Sequence, residues 1–270
     1  MNFKSYADLS RDVARFCMKL PPVDAVYGIP HTGTVVAVMV SDILHIPMVH
    51  LEQGKPVFDK VDKPLGTLLV IDDSILRGTT MAEAMKGIDT DATIITAAVY
   101  YDDVQCDCVY QRLGRPRFFE WNIFAHKYRL KDAAIDIDGV LCPDPDVDEY
   151  TKQKEYEQYL MDAPLFYRPI YPVKKVVTSR MERYRKITED WLKRNGIVYG
   201  ELCMSVRTNA KDRKGKHAQD KARHLKGVKL MIESDKKQAE YIGKYVPCLC
   251  IDNMRLYGGN KSLRDMEEVV

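Results

Sequence analysis

The sequence predicts an α/β protein built from two doubly wound domains, residues 1–128 and 129–270. One observation is that Leu68–Ile71 is a short apolar run followed at once by two aspartates, and a second such run precedes Asp136. Short apolar runs bounded by turn signals are typical of buried strands in parallel sheets. The other observation is the length, because 270 residues allow two domains, each with its own core.

The first acid pair is followed by a loop that suits a phosphorylated sugar. Asp72 and Asp73 lie where a parallel strand ends, the edge at which open α/β sheets bind ligands, and their oxygens can accept hydrogen bonds from ribose hydroxyls. A helix is expected to begin near Met81, so backbone N–H groups can meet a phosphate before it. The phosphate-binding candidates are the small, hydroxylated or basic residues Ser74, Arg77, Gly78, Thr79 and Thr80.

Residues 72–80, Asp-Asp-Ser-Ile-Leu-Arg-Gly-Thr-Thr, resemble the 5-phosphoribosyl-1-pyrophosphate (PRPP) signature of the type I phosphoribosyltransferases. The resemblance implies that family's fold for residues 1–128 and transfer of phosphoribose from PRPP to a nitrogenous base. It implies that Asp72 and Asp73 hold the ribose hydroxyls, with Mg²⁺ on the PRPP. The loop 74–80 would then wrap the 5′-phosphate.

An upstream strand, glycine loop and helix start at residues 26–37 resemble the pyrophosphate loop of the same family. His31, Thr32 and Gly33 are the candidate contacts. An Arg commonly follows the Pro in that loop, whereas this chain has His31, a weaker cation near neutral pH. A simple strand-turn-helix connection is the alternative. The polar segment 52–65 lies where the family has a closing hairpin, but it is short, and a solvated loop explains it equally well.

Asp136 and Asp138 begin a second candidate site. Their i, i+2 spacing points both side chains to one face of an extended chain. Two convergent carboxylates suit Mg²⁺, which takes few carboxylates and keeps waters and substrate phosphate. The surrounding string resembles motif I of the haloacid dehalogenase superfamily. That resemblance implies a Rossmannoid fold with little or no cap, Asp136 as the nucleophile that becomes an aspartyl-phosphate, and Asp138 as the general acid and base.

Three later segments follow the order of that superfamily's motifs. Thr178, or alternatively Ser179, ends a strand and would bond the phosphoryl oxygens. Lys221 is the preferred motif III lysine and Lys216 the alternative; a lysine there would steady the phosphoryl charge. Glu233, with Asp235 as a further candidate, would complete a Mg²⁺ site with Asp136 and Asp138.

Composition places limits on the function. A hydrophobic content of 46% with 30% charged residues is typical of a soluble globular protein, and no apolar run is long enough to span a membrane. Residues 1–20 are expected to form one amphipathic helix with Tyr6, Leu9 and Val13 on the same face. Seven cysteines, an odd number, do not suggest a disulfide framework, and a cytoplasmic location is expected.

The combined expectation is a bifunctional enzyme of nucleotide metabolism, with small-molecule substrates: PRPP, a nitrogenous base, and a nucleotide or other phosphoester. A homodimer is compatible with it. One alternative is a regulatory protein that senses PRPP or a nucleotide and carries a phosphatase half. Another is a phosphatase for nucleic-acid ends, which the locally basic residues 211–229 leave open although the net charge is only +2.

Overall fold

A computed structural model describes residues 1–57, 64–104 and 106–258, and the chain divides into two compact units. The smaller unit is Tyr6–Arg117, and the larger unit joins Met1–Ser5 to Phe118 and the residues after it. Each unit contains a parallel sheet with helical connections, so the predicted α/β class is confirmed. The predicted boundary between residues 128 and 129 falls inside the larger unit.

The N-terminus differs from the single helix expected over residues 1–20. Strand β1 (Asn2–Lys4) comes first, and helix α1 (Tyr6–Cys17) follows it. The strand pairs with Arg117–Phe119, a long-range partner that local periodicity does not reveal. Helix α1 buries Leu9 and Val13 as expected, whereas Tyr6, at its first position, is exposed.

The smaller unit is built on a four-stranded parallel sheet with the order β2-β5-β6-β7, and a two-stranded antiparallel hairpin, β3-β4, stands apart from it. Its elements after α1 are β2 (Ala25–Gly28), α2 (Thr32–Leu44), β3 (His50–Glu52), β4 (Lys55–Val57), β5 (Thr67–Ile75), α3 (Thr79–Lys86), β6 (Thr93–Tyr101) and β7 (Cys108–Arg112). Residues 68–71 of β5 are fully buried, as the apolar run predicts. Residues 58–63 of the expected closing segment lie outside the described ranges.

The larger unit has a six-stranded sheet with the order β11-β10-β9-β12-β13-β14, parallel except for β14. Its remaining elements are β8 (Arg117–Phe119), a 3-10 helix (Glu120–Ala125), α4 (Lys127–Leu130), β9 (Ala133–Ile135), α5 (Gln153–Asp162), β10 (Val173–Met181), a 3-10 helix (Glu182–Tyr184), α6 (Arg185–Arg194), β11 (Tyr199–Ser205), α7 (Ala210–Arg213), α8 (His217–Ala222), β12 (Leu230–Glu233), α9 (Lys236–Ile242), β13 (Cys248–Cys250) and β14 (Arg255–Tyr257).

Both faces of the six-stranded sheet are covered. Ile135 of β9 belongs to the core cluster that contains Trp191 of α6, whereas its neighbour Ala134 belongs to the cluster that contains Ile242 of α9. Successive strand residues point to opposite faces, so helices lie on both sides, as in a doubly wound sheet. Asp136 follows β9 directly and Glu233 ends the adjacent strand β12, so both acids lie at the carboxyl edge of the sheet.

Only α5 forms a helix between Asp138 and Thr178, within a stretch that is described throughout. This helix runs from Gln153 to Asp162. One helix is less than a separate cap domain requires. None of the helices in the described ranges has the length and apolar character needed to cross a membrane.

Candidate functional site

The acid pair of the smaller unit lies within strand β5, which continues to Ile75 instead of ending at Ile71. Pairing with β2 stops at Gly28 opposite Ile71, but pairing with β6 continues to Tyr101 opposite Ile75. The acid pair therefore extends past the end of β2, at the carboxyl edge of the sheet. The continued pairing with β6 holds residues 72–75 extended, and helix α3 begins at Thr79, two residues before the predicted start.

The first turn of α2 packs directly against Asp72. A Cβ atom added to Gly33 would lie 2.8 Å from the Ile71 carbonyl oxygen and 3.0 Å from Asp72 Oδ1. Only glycine permits that approach without displacing a neighbour. The structure thus brings Gly33 beside Asp72, with Thr32 next to it in the first turn of α2. His31 precedes the helix, is exposed, and has a positive φ of 78°.

A cavity of about 210 Å³ adjoins Asp72 and the start of α3. Six predicted phosphoribose contacts line it: Asp72, Ser74, Arg77, Gly78, Thr79 and Thr80. Asp73 is buried and does not line it. Of the predicted pair of aspartates, only Asp72 therefore faces this cavity.

The environment of Asp72 favours its neutral form. Burial, together with the adjacent charge of Asp73, raises the pKa of Asp72 to about 8, although the Asp73 backbone N–H donates to Asp72 Oδ1 at 2.8 Å. A cation held near these two carboxylates would relieve their repulsion. This chemistry fits a Mg²⁺ ion delivered with a pyrophosphate substrate.

Arg117 supports the end of β5, and the sequence analysis did not select it. Its buried guanidinium donates to the Ile75 carbonyl oxygen at 3.1 Å and to the Leu113 carbonyl oxygen at 2.8 Å. It thereby ties the end of β5 to the segment after β7. Nothing in the local sequence distinguishes Arg117 from a surface arginine, so only the fold could reveal it.

The central feature of the larger unit is a buried lysine held between two acids. Lys221 Nζ donates to Asp136 Oδ2 at 2.5 Å and to Glu233 Oε2 at 2.7 Å. All three side chains are at least 95% buried. The structure thus brings together Asp136, Glu233 and Lys221 from three separate segments, while Lys216 instead pairs with Asp212 at 3.0 Å.

Electrostatics in this cluster oppose full ionisation of the acids. Burial and the neighbouring charge of Glu233 raise the pKa of Asp136 well above its ordinary value, although Lys221 counteracts them. Burial would lower the pKa of Lys221, but the attraction of Asp136 and Glu233 outweighs it and raises that pKa. The ammonium group therefore stays charged beside the carboxylates.

Asp138 is engaged by a residue that the motif search did not select. The Arg180 guanidinium contacts both of its oxygens, with Nε to Oδ2 at 3.0 Å and Nη2 to Oδ1 at 2.7 Å. Arg180 is 1% exposed. Such a two-point contact fixes the carboxylate in one orientation. Arg180 follows Thr178 by two residues in β10, so strand periodicity could have placed it at this edge.

The predicted three-carboxylate Mg²⁺ site is not found. Within the described ranges, no three His, Cys, Asp or Glu side chains are arranged to hold a metal ion. The physical reason is that Lys221 occupies the space between Asp136 and Glu233, while Arg180 engages Asp138.

A cavity of about 510 Å³ opens above Asp136, and one of the two candidate hydroxyl residues lines it. Ser179 lines the cavity, whereas the favoured Thr178 does not; the Thr178 hydroxyl instead accepts from the Arg180 backbone N–H at 3.2 Å. The segment 144–150, Arg213 and His217 also line it, and sequence reasoning missed all three. Arg213 donates to the Ser179 carbonyl oxygen at 2.5 Å.

The aromatic rings of Phe118 and Phe119 belong to the larger unit's interior. Phe118 is fully buried and packs on Phe3 with ring centroids 5.0 Å apart. Phe119 is 5% exposed and stacks on Trp121 at 4.6 Å. Core packing explains these rings.

Comparison with known proteins finds similarity over part of the chain. No family model matches. The orotate phosphoribosyltransferase of Caenorhabditis elegans is 30% identical over 88 residues, which cover 30% of this chain. The chain spans 39% of the length of this curated relative.

Two solved structures are also similar to part of the chain. A purine phosphoribosyltransferase from Pyrococcus horikoshii has 23% identity and a TM-score of 0.36, with 44% of this chain and 92% of that chain covered. The Helicobacter pylori xanthine-guanine-hypoxanthine phosphoribosyltransferase has 14% identity and a TM-score of 0.36, with 45% and 92% covered.

Proposed function

We propose that the smaller unit transfers a phosphoribosyl group from PRPP to a nitrogenous base. The observation that carries the proposal is the close packing of Gly33 against Asp72, which places the first turn of α2 beside the cavity lined by Asp72 and Ser74–Thr80. Similarity to an orotate phosphoribosyltransferase over 88 residues supports the same assignment. It makes orotate the first acceptor to test.

In this reaction the bond from ribose C1 to the pyrophosphate oxygen breaks, and a base nitrogen forms the new bond to C1. Pyrophosphate leaves with the electron pair of the broken bond. Asp72 would accept a hydrogen bond from a ribose hydroxyl, while N–H groups and hydroxyls of residues 78–80 would bind the 5′-phosphate. Mg²⁺ bound with PRPP would neutralise charge on the departing pyrophosphate.

The test is pyrophosphate release from PRPP and Mg²⁺ with orotate and a panel of purines and pyrimidines. We expect release with at least one base, and a loss of more than about tenfold in Asp72→Ala because a ribose contact is removed. Asp91→Asn, an exposed aspartate of the same unit, is the matched control. No release with any base would overturn transfer. PRPP binding without release would select the regulatory alternative, which the exposed His31 favours.

We propose a second activity, phosphomonoester hydrolysis, in the larger unit. The supporting observation is Lys221, held between Asp136 and Glu233 at the floor of the 510 Å³ cavity. An Asp136 oxygen would attack phosphorus as the substrate alcohol leaves, and water would then cleave the aspartyl-phosphate to release phosphate. Asp138 would exchange the proton with the leaving oxygen and with the water, and Lys221 would stabilise the phosphoryl charge.

Phosphate release from p-nitrophenyl phosphate in buffer with Mg²⁺ tests this activity. We expect Asp136→Asn to lower the rate by more than about a thousandfold, since the nucleophile is lost. Asp190→Asn, at an exposed position of α6, should retain the wild-type rate. Equal rates in Asp136→Asn and wild type, or no release by the wild type, would contradict the proposal.

A further inference from the structure

The cations around the larger cavity are already paired with acids. Lys221 serves Asp136 and Glu233, and Arg180 serves Asp138. Arg213 contacts Glu149 and also donates to the Tyr150 hydroxyl at 2.9 Å. These cations can contact one phosphoryl group at the floor, but they leave no surplus of positive charge along the walls.

Further acids line the same cavity. Asp144, Asp146, Asp235 and Asp252 all contribute to its surface, and none of them forms an ion pair with any residue in the part of the chain that the structure describes. Burial, followed by repulsion from Asp138, Asp252 and Glu233, raises the pKa of Asp144. The walls are therefore acidic, and each additional negative charge on a ligand would be repelled.

Four residues that line the cavity each have a buried polar atom without a hydrogen-bond partner. Arg213 Nε and Ser179 Oγ are unpaired donors, and Glu149 Oε2 and Gln238 Oε1 are unpaired acceptors. Arg213 is only 6% exposed, so its free Nε–H is an unmet group in a nearly dry position. A hydroxyl group can both donate and accept, so a ligand that carries several hydroxyl groups can satisfy both sets.

We propose that this cavity binds phosphomonoesters of uncharged, hydroxyl-rich alcohols, namely sugars or nucleosides, and discriminates against polyanions such as phosphorylated nucleic-acid ends. The proposal rests on the phosphomonoesterase activity proposed above. The phosphoryl group would lie beside Asp136 and Lys221, and the sugar hydroxyls would meet Ser179, Arg213, Glu149 and Gln238. A volume of about 510 Å³ is within the range of small-molecule sites.

The test compares kcat/KM for phosphate release at fixed ionic strength and fixed free Mg²⁺. The substrates are p-nitrophenyl phosphate as the reference, ribose 5-phosphate, uridine 5′-monophosphate, ribose 1,5-bisphosphate, and an oligonucleotide with a 5′-phosphate. We expect ribose 5-phosphate or uridine 5′-monophosphate to exceed both polyanionic substrates by about tenfold or more, because like charges repel across the acidic wall. The faster of these two substrates shows whether the cavity prefers the phosphate of a sugar or that of a nucleoside.

Variants that neutralise single wall carboxylates test whether the acidic walls cause this substrate preference. The preference is the kcat/KM of the faster monoester divided by that of the oligonucleotide. Asp146→Asn and Asp252→Asn should each lower this ratio by about threefold to tenfold. Glu155→Gln, at an exposed position on α5, should leave this preference unchanged. Equal or faster turnover of the polyanions, or an unchanged preference in both aspartate variants, would overturn the inference. No phosphate from any substrate, p-nitrophenyl phosphate included, would instead overturn the phosphomonoesterase itself.

Discussion

At the scale of single residues, Lys221 shows how one cation can replace part of an expected metal site. Two buried carboxylates beside each other would be costly to ionise without a positive charge between them. The ammonium of Lys221 supplies that charge at 2.5 and 2.7 Å. In the phosphomonoesterase that we propose, Lys221 would also donate a hydrogen bond to a phosphoryl oxygen.

Asp72 gives a prediction about stability and pH. Its pKa is about 8 in the folded protein against 3.8 ordinarily, so the folded state binds more protons between these values and stability falls as pH rises through them. Asp72→Asn removes this cost. We expect the variant and wild type to have the same unfolding temperature near pH 4. Near pH 9 we expect the variant to have the higher unfolding temperature, with a gain in unfolding free energy on the order of 1–2 kcal/mol because the half-buried carboxyl is partly solvated.

Thermal unfolding at the two pH values, followed by circular dichroism, measures this difference. Asp91→Asn is the control, since its carboxyl is exposed. A difference between Asp72→Asn and wild type that is the same at pH 4 and pH 9 would show that the carboxyl titrates normally.

At the scale of elements, the position of each site depends on how strands and helices meet. Asp136 and Glu233 end adjacent parallel strands, so the sequence could predict that they approach each other. The choice between Thr178 and Ser179 could not be made, because it depends on which face of β10 looks into the cavity. Likewise, the continuation of β5 past Asp72 depends on its pairing with β6, a long-range contact that no local pattern specifies.

The packing of α2 on β5 yields a second prediction. In Gly33→Ala the new methyl group would meet the Ile71 carbonyl oxygen and Asp72 Oδ1 at 2.8 and 3.0 Å. We expect a loss of about 1–3 kcal/mol of stability from overpacking and a fall in pyrophosphate release of about tenfold or more, since the helix start and Asp72 must separate.

Gly114→Ala is the matched control, because a methyl group there meets nothing within 4 Å. Urea denaturation and pyrophosphate release should be measured on both variants. If Gly33→Ala behaves like Gly114→Ala in the two assays, the close contact between α2 and Asp72 is not required.

At the scale of the whole molecule, two α/β units each place acids at the carboxyl edge of a parallel sheet. The presence of two sheets could be predicted because each has its own apolar strand followed by acids. The boundary between the two units could not be predicted, because β1 pairs with β8 and the first residues therefore belong to the larger unit. Pairing between residues more than a hundred positions apart leaves no signal in composition or periodicity.

The central claim is that the smaller unit recognises PRPP through the cavity between Asp72 and Thr80. Calorimetric titration of PRPP into the full chain with Mg²⁺ tests it most directly. We predict saturable binding by the wild type that is weakened by about tenfold or more in Asp72→Ala and unchanged in Asp91→Asn. Absence of binding by the wild type, or equal affinity in Asp72→Ala, would contradict it.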